Sequence, residues 1–181
     1  MREIDRRTQF SRRALLRTGA AAVPAAIVGG VSISADAAWA QDAKGTAPHA
    51  MATLVKVARD IYPHDHISDM FYVKAVTPWD AKASKDDAVK TMIAEGVARL
   101  DQDAHDGFGS NYLNVAWEAD RVTLLRGIEH TAFFKTLRSD LVVSLYNQPD
   151  IWPKFGYEGS SAEHGGYLAR GFDDINWLPT A

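Results

Sequence analysis

Residues 131–159 read TAFFKTLRSDLVVSLYNQPDIWPKFGYEG, and the change of character inside this stretch decides the fold. In its first half Phe133, Phe134, Leu137, Leu141, Val142, Leu145 and Tyr146 recur at three- and four-residue spacing, which predicts a helix over 131–146 with these side chains on one face. From Asn147 onward that period is lost. Five glycines (Gly156, Gly159, Gly165, Gly166 and Gly171) are mixed with Trp152, Phe155, Tyr157, Tyr167, Phe172 and Trp177. Such a segment cannot build regular structure, yet it carries too many rings to stay in water. It must dock, as an irregular aromatic and glycine-rich strap. The six rings are the candidate docking residues. Trp152 and Phe155, next to the helix, are expected to cover the chain's own core, and residues 157–177 to meet a partner.

Upstream, the same helical period repeats. Met51, Leu54, Val55, Ala58, Ile61 and Tyr62 share one helix face, and Pro63 stops the run. Ser68 is suited to cap a second helix bearing Phe71, Tyr72, Ala75, Val76 and Trp79, with a break or kink at Pro78. Ser84 and Asp87 form a capping-box pattern for a third helix with Val89, Met92, Ile93, Val97 and Leu100 inward, ending near Gly107. A loop, GFGSNYLN (107–114), leads to a further helix over 117–127. No long alternating β-branched segment and no internal repeat occurs. The expected fold is therefore all-α, a bundle of four to five helices with the strap at its C-terminal end.

The N-terminal end has a different logic. Six arginines (Arg2, Arg6, Arg7, Arg12, Arg13 and Arg17) precede an alanine-rich apolar run over 19–31, followed by Ala38-Trp39-Ala40, a small-x-small site for a signal peptidase that would cut before Gln41. The run is about 13 residues long, short of the roughly 18 to 20 that span a bilayer as a helix. The segment SRRALLR (11–17) resembles the twin-arginine export signal, with Arg12 and Arg13 as the pair, and Leu15 and Leu16 following. Residues 1–40 are read as this leader, 41–49 as a flexible small-residue linker with Gly45 and Pro48, and 50–181 as one helical domain. The twin-arginine route implies transport of a folded chain out of the cytoplasm, often with a cofactor or a partner bound.

Composition narrows what the mature chain does. A 40-residue leader holds six of the 20 basic and three of the 23 acidic residues, leaving 14 against 20, a formal charge of −6. That balance disfavours nucleic acid and anionic lipid. The chain contains no cysteine, which excludes disulfides, c-type haem attached through C-x-x-C-H, cysteine-ligated iron-sulfur clusters and a thiol nucleophile. There is no G-x-G-x-x-G after a strand, no phosphate loop and no G-x-S-x-G turn.

Three weaker constellations remain. His64 and His66, with His105, Asp101, Asp103 and Asp106, have the ligand types of a zinc or iron site, but H-x-H after a proline is weakly specific. His64 and Asp65 are more simply read as capping the helix junction. Ser160, Ser161, Glu163 and His164 are too close in sequence for a hydrolase triad, which is assembled from distant parts of a fold. Trp79, Trp117, Tyr112 and Phe108 offer lining for a ligand pocket, although core stacking explains them better.

The order YPHD (62–65), DAKA (80–83), the run over 133–159 and GGYLARGFDDINWLP (165–179) resembles the gluconate 2-dehydrogenase subunit 3 family over nearly all of the mature chain, leader included. The resemblance implies a non-catalytic small subunit with no cofactor of its own. It implies a large FAD-binding partner of the glucose-methanol-choline oxidoreductase type that oxidises a sugar, polyol or sugar acid, and a cytochrome c subunit that often receives the electrons. The small subunit is implied to support maturation and export of the flavoprotein to the periplasm, where the complex can associate with the membrane. A free-standing periplasmic metal- or ligand-binding protein using His64 and His66 is the alternative.

Overall fold

The computed structural model describes residues 33–168, and among them there are six α-helices and no strand. They are α1 (Ala38–Gln41), α2 (Pro48–Ile61), α3 (Asp69–Ala83), α4 (Asp87–Phe108), α5 (Glu118–Gly127) and α6 (Ala132–Ser144), with short 3-10 turns at Tyr112–Asn114, Pro149–Phe155 and Ser161–His164. The all-α class follows from the periodicity. The leader residues Arg12, Arg13, Leu15 and Leu16, and Phe172 and Trp177 of the strap, lie outside the described residues.

Helix α2 is the axle of the domain, in contact with every other α-helix. The sequence pattern assigns it one buried face, but over residues 50–55 the structure buries it on every side, with Val57, Ala58 and Asp60 also out of water and Lys56 and Arg59 left half-buried. A helix surrounded by other helices needs small or apolar side chains on every side. Ala50, Ala52 and Ala58 supply close approach, and Thr53 satisfies its buried hydroxyl on the His49 carbonyl at 2.9 Å.

Several boundaries differ from expectation for identifiable reasons. Ser68 does cap α3, its hydroxyl accepting from the Met70 amide, but the helix is continuous across Pro78 to Ala83. Ser84 closes α3 rather than opening α4, which is capped by the Asp86 carboxylate accepting from the amides of Ala88 and Val89. Asp86 competes successfully because a carboxylate is a stronger acceptor at the positive end of a helix than a hydroxyl. Helix α4 ends one residue past Gly107, and Gly109 at φ 69° supplies the left-handed cap. Asp65 does not cap a helix; it is fully exposed and reaches only Arg59, at 3.5 Å.

The segment read as a loose linker is pinned. The amides of Lys44, Gly45 and Thr46 and the Thr46 hydroxyl all donate to the Asp80 carboxylate of α3, at 2.8 to 3.0 Å. Only glycine fits at position 45, since a Cβ there would sit 2.2 Å from the Asp80 carbonyl oxygen.

Candidate functional site

The strap and the end of α6 make the most distinctive surface. Leu137, Leu141 and Leu145 turn inward and are buried, which rotates Val142 and Val143 out of the core that the sequence pattern assigns to Val142. Val143 is 63% exposed. Past α6 the Asn147 amide closes the turn onto the Val143 carbonyl at 2.9 Å. The buried amide of Gln148 then donates to the carbonyls of Ser144 and Phe71, satisfying the open end of α6 and tying it to α3.

From there Pro149–Phe155 folds back as a 3-10 segment, more regular than the composition foretells. Ile151 is driven fully into the core. Trp152 packs partly buried against it, its indole N–H donating to the Tyr146 carbonyl at 2.8 Å, and Tyr157 stands edge-on to Trp152 with centroids 5.3 Å apart. Trp152 therefore covers the chain's own core, as expected. Phe155 does so only in part: it touches His64, His66 and Tyr146 edge-on, yet remains 40% exposed. Between α6 and the strap lies a groove of about 620 Å³ lined by Val142, Val143, Tyr146, Trp152, Phe155 and Tyr157. Tyr167 and Leu168 follow, 69% and 94% exposed.

Beside this groove the two candidate ligand histidines belong to an aromatic cluster. The His64 Nε2 and the Tyr146 hydroxyl share a hydrogen bond of 2.6 Å, the His64 and His66 rings meet at 5.6 Å, and Phe155 packs 4.9 Å from each. Burial, with His66 and Arg59 nearby, lowers the pKa of His64 and favours its neutral form. Burial and Tyr62 raise that of Tyr146. Neither His105 nor any of the aspartates joins them. Asp101 pairs with His49 at 2.6 Å and accepts the Tyr112 amide, Asp103 pairs with Arg99, and Asp106 accepts from Gln102. Among the described residues no group of three or more metal-ligating His, Asp or Glu side chains is assembled.

The other constellations are dispersed. The His164 ring lies 3.1 Å from the Glu158 carbonyl and pairs with neither Ser160 nor Ser161. Trp79 and Tyr112 are core residues, Trp79 donating to Asp140 at 3.0 Å, whereas Phe108 and Trp117 are on the surface, Trp117 75% exposed. These four line no common pocket among those described.

Sequence reasoning passed over two features. One is a second groove, about 700 Å³, between α4 and α6 along Met92, Gly96 and Phe133. The other is the buried centre where Asp60 meets Arg121 and Tyr112, invisible from sequence because its partners are 52 and 61 residues apart.

No family model, curated protein or solved structure matches the chain. Among the described residues no helix is long and apolar enough to cross a membrane.

Proposed function

We propose that this chain is the non-catalytic small subunit of an FAD-dependent sugar, polyol or sugar-acid dehydrogenase, and that its twin-arginine leader carries the flavoprotein partner to the periplasm. The observation that carries the reading is the outward apolar strip of Val142, Val143, Phe155 and Tyr157, continued in the chain by Tyr167 and Leu168. Apolar side chains set around a groove at the end of a helical domain are the form expected of a protein interface with aromatic anchors. The five long helices serve as the scaffold, and residues 147–181 as the docking strap. Support also comes from the SRRALLR motif and from the resemblance of residues 133–159 and 165–179 to the gluconate 2-dehydrogenase subunit 3 family. In this reading FAD belongs to the partner and haem c to a third subunit.

The test is an affinity pull-down of the C-terminally tagged chain from its native periplasm, read by mass spectrometry and visible absorption. A stoichiometric large partner with a flavin band is the expected result. A colourless chain recovered alone would overturn the reading, and metal analysis of that sample would then test the neighbouring pair His64 and His66 as a free-standing metal site.

A further inference from the structure

The small-x-small site that ends the leader is not a free tail. Ala38–Gln41 forms α1, with the Gln41 amide donating to the Ala37 carbonyl at 3.1 Å and the Asp42 amide to the Ala38 carbonyl at 3.0 Å. Ala40 is 0% exposed. Trp39 packs against the core, and its buried indole N–H finds no hydrogen-bond partner among the described residues. The Gln41 side chain folds back onto the Ala35 carbonyl at 2.7 Å. Three residues further on, the Asp80 latch holds Lys44, Gly45 and Thr46. Burial pushes the Asp80 carboxyl up, but its hydrogen bonds from Lys44, Thr46 and Gly45 outweigh this and hold it below the ordinary carboxylate range.

A peptidase reads small side chains on both sides of a residue by taking the chain in extended form, at segments free to leave the fold. Residues 38–40 can become extended only if α1 unwinds and both Trp39 and Ala40 leave the core. The latch anchors the far side, so slack cannot be drawn from residues 42–46 without breaking its bonds.

We infer that residues 34–46 are a structural part of the folded domain, and that folding protects the Ala40–Gln41 bond from cleavage. The inference rests on the export reading for its biological setting, because a chain exported folded arrives with this bond already closed to the peptidase. The exported subunit therefore keeps α1 and does not begin at Gln41.

The test uses the purified full-length chain with a bacterial signal peptidase in detergent micelles. Water adding across the Ala40–Gln41 amide releases the Ala40 carboxylate and the Gln41 amine, which intact mass resolves. A synthetic peptide covering residues 30–45 is the extended reference. The expected result is that the peptide is cut before Gln41 at least about tenfold faster than the folded chain. Gly45→Val and Trp39→Ala, which open the latch and remove the half-buried ring, should bring the chain toward the peptide's rate. Asp80→Ala does the same should Gly45→Val fail to fold, with circular dichroism confirming the helical core. A folded wild-type chain cut before Gln41 at the peptide's rate overturns the inference. A peptide that is not cut overturns it together with the cleavage-site assignment. Fractionation of cells keeps the two readings separate: a chain confined to the cytoplasm defeats export, while the rates in micelles still decide protection.

Discussion

Arg121 of α5 grips Asp60 of α2 with two parallel bonds, Nε to Oδ2 at 2.7 Å and Nη2 to Oδ1 at 2.9 Å, and both side chains are almost wholly out of water. Tyr112 adds its hydroxyl to Asp60 Oδ2 at 2.8 Å, while Arg121 Nη1 donates to the carbonyls of Val115 and Ala116. The hydrogen bond to Asp60 raises the Arg121 pKa, whereas burial chiefly lowers that of Lys56 nearby. Removing one partner of such a pair strands a buried charge. Asp60→Ala or Arg121→Ala should cost about 3–5 kcal/mol in urea denaturation, and Asp60→Leu with Arg121→Met should recover much of it. A loss below about 1 kcal/mol in the single variants would show that the site is hydrated.

Gly96 faces the ring of Phe133, and a Cβ there would lie 2.3 to 2.7 Å from three ring atoms. Phe133 is buried on the wall of the groove between α4 and α6, so an added methyl pushes directly against its ring. Although alanine is the better helix former, Gly96→Ala should destabilise by about 1–3 kcal/mol through overpacking. Adding Phe133→Leu should relieve part of the loss, which thermal melts can read.

His64 gives stability a pH dependence of defined sign. Its folded pKa lies below the unfolded value near 6.5, so the folded state binds fewer protons. Its contribution is full above about pH 6.5 and is lost as pH falls through the depressed folded value. The melting temperature should therefore drop on acidification. His64→Gln should flatten that drop even with His66, Arg59 and Asp65 in place, and an unchanged slope would assign it to other groups.

Val143 is mostly solvent-exposed, so Val143→Asp should change the chain's own stability by no more than about 0.5 kcal/mol. At the proposed interface it should weaken recovery of the flavoprotein at least tenfold in the pull-down. Tyr157→Ala should act in the same direction, and full recovery with both variants would move the interface to another face.

On the proposed carrier role, replacing Arg12 and Arg13 by Lys should leave both this chain and the proposed flavoprotein partner in the cytoplasm. Normal periplasmic yield of the flavoprotein, read by cell fractionation and flavin absorbance, would refute the carrier role.

The helical period of residues 131–146, the cap at Ser68 and the inward row Ile93, Val97 and Leu100 are local, and a sequence displays them because a helix repeats every 3.6 residues. The arginine pair and the loss of period after Asn147 are equally local and legible. What tertiary structure alone decided depends on residues far apart in the chain. How much of α2 meets water depends on how many helices surround it. Whether residues 44–46 are loose depends on Asp80, 34 to 36 positions away. Whether Ala38-Trp39-Ala40 is an open site or a packed turn depends on the core it meets, and no window of sequence contains that core.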